Sequence, residues 1–489
     1  MSNALNIAVN GLSAADKQLA VISANVANAS TPGYTAKRLT QTSVTADGQA
    51  AGVQTGALTR SVNLGLLSNL WQQNSVATAS QTSQTYLNQL QQTFGTPDSA
   101  TSFATKLTTL KDDFISLNSD PSNNILQTQI VNDAQNLATS FNSLSQNIQS
   151  LRNNTVSDLS NTIGATNQLL SQIASLNNQI AKQQGTNNNI VDLQDQRDSA
   201  IASLSLNMNI QTFNNGDGTV NVSTSNGTLL ADTQAQTLIY SAAPLSAQSY
   251  YPTSINGIML NGVDVTSQIT SGAMGGLISL RDAALPQAQA MMDETARQMA
   301  ARFNAQNVKL FTDASGNVPA NTPTGYAGFS GTIQVNSAVV GNPALLQTGT
   351  AGGGPFNASD NINIQNVLNY AFGANANAGG TPNTPFNTTG LGPGGTLTIN
   401  NMPASGTITN FANNVISSLA QQYSQVKSDN TYQTNYQNTL QKNSDDQGAV
   451  SIDKEMTDLV SIQNAYASNA RMITTISQMF KELLSSVSG

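Results

Sequence analysis

The sequence predicts an α+β multidomain protein: paired terminal helices and a long helical-bundle trunk with inserted β-rich domains. Three observations predict it. Apolar residues recur at helical spacing near both ends, longer helical stripes fill residues 64 to 184, and the pattern then changes to short β-type runs and Gly/Pro-rich sequence. With 489 residues the chain has room for three or four domains of roughly 100 to 200 residues each.

Near the start, Leu5, Ala8, Leu12, Ala15, Leu19, Ile22 and Val26 follow alternating steps of three and four, an a/d stripe along one side of a helix. Ser2 or Asn3 is placed to cap its first turn. The helix must stop by Ser30, because Thr31 precedes Pro32 and is pushed out of the α region. Thr31-Pro32-Gly33-Tyr34 then matches a type II turn, with Pro at its second position and Gly at its third. At the far end Met456, Leu459, Gln463, Tyr466, Ala470, Ile473, Ser477, Phe480, Leu484 and Val487 keep the same step, interrupted only by Gln463 and Ser477. Asp453 and Glu455 lie in its first turn, where the helix dipole favours acids. Two helices with one apolar stripe each most simply cover one another as a coiled-coil pair. The alternative is that each packs separately on the main body. The expected seam is Leu5, Leu12, Leu19, Ile22 and Val26 against Met456, Leu459, Tyr466, Ile473, Phe480 and Leu484.

In the trunk, Phe103, Leu107, Leu110, Phe114 and Leu117 form one stripe, ended by Asp120-Pro121. A second runs Ile130, Ala134, Leu137, Phe141, Leu144, Ile148 and Leu151, skips one residue, and resumes as Val156, Leu159, Ile163, Thr166, Leu170, Ile173 and Ile180. At 1.5 Å per residue such a helix is on the order of 80 Å long. After Gly185 short runs around Val220, Val222, Leu229 and Leu230 are separated by Asp217-Gly218 and Asn226-Gly227, which are hairpin signals. Helix returns from about Gly276 to Val308, with Pro286 expected to kink or break it. Residues 311 to 410 are rich in Gly and Pro and read as an irregular surface insertion, after which helix resumes near Phe411 towards Lys442. The domains expected are therefore a terminal coiled-coil core (1–45 with 445–489), a helical trunk (46–204 with 277–310 and 411–444), a small β domain (205–276) and a variable insertion (311–410).

Composition removes most chemistry. With no Cys and no His, thiolate nucleophiles, disulfides, His-based general bases and Cys/His zinc sites are all excluded. A net charge of −8 with no Lys/Arg cluster argues against nucleic acid. No apolar run reaches the roughly 18 residues of a membrane helix, and no basic start precedes Asp16, so neither membrane insertion nor a cleaved signal is expected. Asp112-Asp113 and Asp445-Asp446 are sequence neighbours whose side chains diverge by about 100° on a helix, which favours solvated surface over a catalytic pair. Asp192, Asp195 and Asp198 recur every third residue beside Arg197, which favours an ion-paired helix start over a hard-cation site. Gly390-Leu391-Gly392-Pro393-Gly394-Gly395 lacks the Lys of a phosphate loop, and Pro393 removes an amide. No catalytic residue, metal or cofactor is expected.

The block from Ala24 through Asn28 and Thr31-Pro32-Gly33-Tyr34 resembles the N-terminal signature of bacterial flagellar rod, hook and hook-associated axial proteins. Val450 to Leu459, continuing through Gln463 to Tyr466 and Ala470 to Ile473, resembles their terminal helix. Asp192 to Asp198, Asp217 to Val222 and Gly275 to Asp282 resemble internal motifs of the FlgK-type hook-filament junction family. What the resemblance implies is a non-enzymatic structural subunit of the bacterial flagellum. It would be exported by the flagellar type III system without a cleaved signal, aided by an export chaperone, and assembled as a ring of identical subunits between the hook protein and a second junction protein. Asn28, Thr31, Pro32, Gly33 and Tyr34 would be its signature turn, and Ile7, Val21, Ile462 and Ile476, off the seam, would be covered by neighbouring subunits. The competing reading is a secreted adhesive or carbohydrate-active protein with β domains on a helical stalk.

Overall fold

The computed structural model describes residues 2–46, 49–97, 99–184, 190–352 and 356–487. Helix α1 (Ser2–Ala27) leads into the antiparallel hairpin β1 (Lys37–Ala46) and β2 (Gln49–Arg60). Three helices follow, α2 (Leu64–Phe94), α3 (Phe103–Ser119) and the 60-residue α4 (Asn124–Gln183), then α5 (Val191–Asn207). Six short strands come next: β3 (Gln211–Asn214), β4 (Val220–Ser223), β5 (Leu229–Ala231), β6 (Leu238–Ile239), β7 (Met259–Leu260) and β8 (Val263–Asp264). Helices α6 (Gly272–Ser279) and α7 (Leu285–Ala305) are joined by a π turn, Leu280–Ala284. Beyond them lie β9 (Phe311–Thr312), β10 (Gln334–Val335), α8 (Ser337–Gly341), α9 (Leu345–Thr348) and α10 (Ile362–Asn366), and the long α11 (Ile408–Gly448) and α12 (Ile452–Val487) finish the chain. The class is α+β, with long helices dominant and small sheets inserted.

Two compact units divide the chain: Met1–Val76, Ala165–Thr237 and Thr434–Gly489 form one, Ala77–Gly164 and Leu238–Gln433 the other. The division falls inside α2, α4 and α11, at positions the stripes do not mark. The stripes themselves are core: Phe103, Leu107, Leu110, Phe114 and Leu117 are all buried, as is every member of the two α4 stripes from Ile130 to Ile180. Where the α4 pattern skips a residue, the helix continues unbroken and buries Arg152 and Thr155 instead. The expected change at Gly185 lies outside the described residues.

The single β domain expected over 205–276 is corrected. A three-stranded sheet β3-β4-β5 belongs to the first unit and a second, β6-β7-β8, to the other. Strands of two to four residues cannot hold a core of their own, and in each unit amide and guanidinium side chains of α4 tie the neighbouring chain down. Asn177 donates to the carbonyls of Val220 (2.8 Å) and Asp232 (2.7 Å) and accepts from the Val220 amide at 3.1 Å. In the other unit Asn153 accepts from the Leu245 amide at 2.7 Å, and Arg152 donates to the carbonyls of Ser246 (3.0 Å) and Ser249 (2.9 Å). Burial pushes the Arg152 guanidinium down to about 10.

The reading of 311–410 as a surface insertion is also corrected. Phe311, Tyr326, Phe329, Ile333, Val339, Leu346, Ile364, Phe372, Phe386 and Leu391 are buried. Phe372 meets Phe303 of α7 and Phe114 of α3, and Phe386 stacks on Phe411 with ring centroids 3.9 Å apart. Glycine and proline shape the turns of this segment without making it peripheral. Its backbone carbonyls, which no long sheet satisfies, are taken up by side chains. Gln347 donates to the carbonyls of Asn357, Ala358 and Asp360, and Asn383 to those of Tyr370, Gly373 and Asn375.

Candidate assembly site

The α1 stripe ends in a turn whose side chains replace the missing helix bonds. Asn28 donates through its side chain to the Ala24 carbonyl at 2.9 Å and accepts from the Thr31 hydroxyl at 3.3 Å. Tyr34 N–H closes the turn on the Thr31 carbonyl at 3.2 Å, with Gly33 at φ +76°, a value that side chains rarely adopt. One turn back, the buried Asn25 pairs with the backbone of Lys37 as a strand residue would: its side-chain oxygen accepts the Lys37 amide (3.0 Å) and its nitrogen donates to the Lys37 carbonyl (2.9 Å). The same oxygen accepts the Tyr34 hydroxyl at 3.0 Å, and the Lys37 ammonium lies 3.7 Å above the Tyr34 ring. Burial holds the Tyr34 phenol above its ordinary range, with Lys37 opposing. Asn28, Tyr34 and Gly33 thus act as a local lock, while Thr31, Pro32 and Gly33 stay exposed. Grooves of about 460 Å³ and 570 Å³ flank this exposed turn.

The turn is fastened from outside as well. Thr35 gives both its amide (3.2 Å) and its hydroxyl (2.7 Å) to Asp195. Arg60, at the other strand of the hairpin base, spans Asp195 (2.9 Å) and Asp198 (2.8 Å). Lys37 pairs with Asp192 and stands 3.3 Å from Asp195. Burial works against the Arg60 charge, and the Asp198 and Asp195 carboxylates outweigh it, leaving the guanidinium above its ordinary value. Ala36 N–H reaches the Gly448 carbonyl at 2.8 Å, which brings the end of α11 to the same place. Among the described residues no acidic group is arranged for a metal ion. The other acidic doublet also differs from its reading, because Asp113 meets Asp133 of α4 as well as its neighbour Asp112. Burial first, then Asp133, raises its carboxyl to about 7.

Beyond the turn, α1 and α12 pack together antiparallel, with Gly11 against Asn469 and Ala4 near Thr475 and Ile476. A Cβ on Gly11 would lie 2.8 Å from the Asn469 side chain, so glycine permits this approach. Of the expected seam, Ile22 is buried and Leu5, Leu12, Leu19, Val26, Leu459 and Ile473 are half-buried. Met456, Tyr466, Phe480 and Leu484 are corrected: they are exposed, Leu484 by 66%. Glu455 and Ile476 are buried in their stead, and Ile462 and Asn469 half-buried, one position before the expected row. Apolar counting chose Met456 over Glu455. Packing reverses the choice because Glu455 lines a cleft with Gln18, Ile22 and Arg38, and Asn469 fits the small side of α1. Ile7, Val21, Ile462 and Ile476, expected to await neighbours, are therefore covered within the chain to half or more. Towards the end of α12, Met479, Phe480, Leu483 and Leu484 are exposed.

Comparison with known proteins agrees with this architecture at both ends and in the middle. Residues 5–35 match the flagella basal body rod protein family, and 448–486 the C-terminal family of the flagellar basal body rod FlgEFG proteins. Those two matches make both ends of the chain similar to flagellar axial proteins. Residues 87–320 match the helical domain of the flagellar hook-associated protein FlgK. With these matches the chain is similar to the FlgK-type hook-associated proteins in its middle and to flagellar axial proteins at both ends. It is 24% identical over 339 residues to flagellar hook-associated protein 1 of Salmonella typhimurium, a match covering 65% of this chain and 58% of that one. Against the protein of the same name from Bacillus subtilis it is 24% identical over 98% of this chain and 97% of the relative. A solved structure of the flagellar hook junction protein FlgK from Burkholderia pseudomallei is 27% identical, covers 52% of this chain and 46% of its own, and superposes with a TM-score of 0.43.

Proposed function

We propose that the chain is a non-catalytic subunit of the bacterial flagellum that joins hook to filament, assembling as a ring of its own copies between the hook protein and a second junction protein. The observation that carries this reading is the exposed apolar surface of α12, where Met456, Val460, Tyr466, Met472, Met479, Phe480, Leu483 and Leu484 are each more than a third exposed along one helix. Apolar surface of this extent, left over after α1 has covered one side, marks an interaction surface. The signature turn holds that helix pair to the rest of the first unit. Export through the flagellar type III route, with a chaperone that shields this face, follows from the same reading, since an apolar helix of this kind needs cover before it reaches its neighbours. Among the described residues no helix is long and apolar enough to cross a membrane.

The test is addition of the purified chain to isolated hooks, followed by electron microscopy of hook ends. Added density at the distal end supports the reading. Bare hook ends, together with glycan binding or glycan cleavage by the same preparation, would replace it with the adhesive or carbohydrate-active alternative.

A further inference from the structure

We propose that Asp195, flanked by Asp192 and Asp198, is a positioning residue: the three carboxylates of α5 form an ionic latch that sets the direction in which α1 and its hairpin project from α5 within the first unit. The inference deepens the assembly reading and rests on it. Four donors converge on the two oxygens of Asp195, namely the amide and hydroxyl of Thr35, the Arg60 guanidinium and, at 3.3 Å, the Lys37 ammonium. They come from both strands of the hairpin base, so the latch grips the chain where it enters the hairpin and where it leaves. Since α1 packs on β1 and β2, holding the base holds the helix. The second carboxylate, Asp198, is steadied in turn by Arg197 at 3.1 Å, whose other arm donates to the Gly218 carbonyl at 2.7 Å.

Three cations, Lys37, Arg60 and Arg197, face three anions, and the side chains of Lys37, Asp195 and Arg60 are all less than a tenth exposed. Such a cluster adds little net stability over an apolar contact, because desolvation offsets the attraction. Its geometric demand is high, however: an apolar contact tolerates many rotations of the hairpin, whereas this set of bonds forms in one. Removing a single carboxylate leaves buried cations short of a partner and allows other orientations.

The chain has no cysteine, so a pair introduced at the exposed Ala20 of α1 and Ser203 of α5 carries the only spin labels. The labelled parent is expected to give one narrow distance distribution. Asp195→Asn is expected to lose that narrow peak while keeping the helical circular dichroism, and to add poorly to hook ends. An unchanged narrow peak in folded Asp195→Asn overturns the latch, and a lost peak with normal addition overturns its role in assembly. Should Asp195→Asn lose its helical signal, Thr35→Val decides by the same distance measurement, since it removes one hydroxyl donor and no charge. A labelled parent that itself fails to add to hooks counts against the assembly reading, and the distances still decide the latch.

Discussion

The α1/α12 pair and the 311–410 segment are opposites in a way that inverts the usual link between regularity and burial. The pair is regular, periodic and largely exposed, with whole faces of α12 open to solvent. The segment is irregular and rich in Gly and Pro, yet supplies Phe311, Phe329, Phe372 and Phe386 to the core of its unit. Periodicity reports where a helix is, and burial is decided by what surrounds it. In α12 the apolar period runs on while much of the apolar surface stays exposed. A loop segment that must fill a core uses turns to place its aromatic rings, and amide side chains to satisfy its backbone.

The most severe test of this contrast is deletion. Replacing 313–406 by a short linker is expected to abolish cooperative melting of the second unit, because Phe303 and Phe114 lose Phe372, and Asp293 loses the Gly328 and Ser330 amides. Truncation before Ile452 is expected to leave that transition in place. Scanning calorimetry reads both, and a surviving transition after the loop deletion would show the segment to be peripheral after all. Single rings make the same comparison on a smaller scale. Phe372→Ala should cost about 3–5 kcal/mol, as for a fully buried Phe, whereas Phe480→Ala should stay within about 0.5 kcal/mol in the free chain and show its effect only in addition to hooks. Chemical denaturation of the two variants side by side measures the difference.

Within the pair, Gly11→Leu places a branched side chain where even a Cβ comes within 2.8 Å of Asn469. Overpacking of this sort costs on the order of 1–3 kcal/mol, and because the second unit shares none of these contacts, its melting should not move. Faster hydrogen exchange across 452–476 with an unchanged second-unit transition is the expected result. Slow exchange there would mean that α12 is held by something other than α1.

How far the sequence revealed these features depends on the distance over which each is decided. The α4 stripes, the stop before Pro32 and the turn at Gly33 are local, and all were readable from spacing. The hairpin 37–60 is legible too, in the β-branched Thr40, Thr42, Val44 and Thr45 ahead of Asp47-Gly48, a strong hairpin signal set between two helical patterns; that dipeptide lies outside the described residues. The latch is the opposite case. The spacing of Asp192, Asp195 and Asp198 is visible and suggested ion pairing, but Lys37 and Arg60 stand more than a hundred residues away in the chain, and nothing in either stretch names the other. Four α12 positions of the seam were misplaced for a third reason, since a pattern of apolar residues has no place for a buried Glu455 or a packed Asn469.

The smallest effect expected is a pH response that belongs to the irregular segment. Asp293 of α7 is fully buried and accepts from the amides of Gly328 (2.7 Å) and Ser330 (2.9 Å) and from the Ser330 hydroxyl (2.6 Å). Burial nonetheless raises its carboxyl to about 6, the hydrogen bonds opposing only in part. Asp113, of the same unit, is raised to about 7. A carboxyl whose folded value exceeds its unfolded value binds its proton more tightly in the folded state. Its stabilisation is complete below the unfolded value of about 4 and is lost as pH rises through the folded value. The melting temperature of the second unit should therefore fall, by on the order of a few degrees, between about pH 4.5 and 7.5. Asp113→Asn should remove the part of that slope above about pH 6 and weaken, without abolishing, the part below it. Carboxylates held below the ordinary range, such as Asp264 under its Thr266 bonds, act at more acid pH and do not mask the window. Calorimetry in half-unit steps of pH decides it: a melting temperature that fails to fall through this window would mean that Asp293 is charged throughout, its four hydrogen-bond donors, the Gln289 side-chain amide among them, having outweighed its burial.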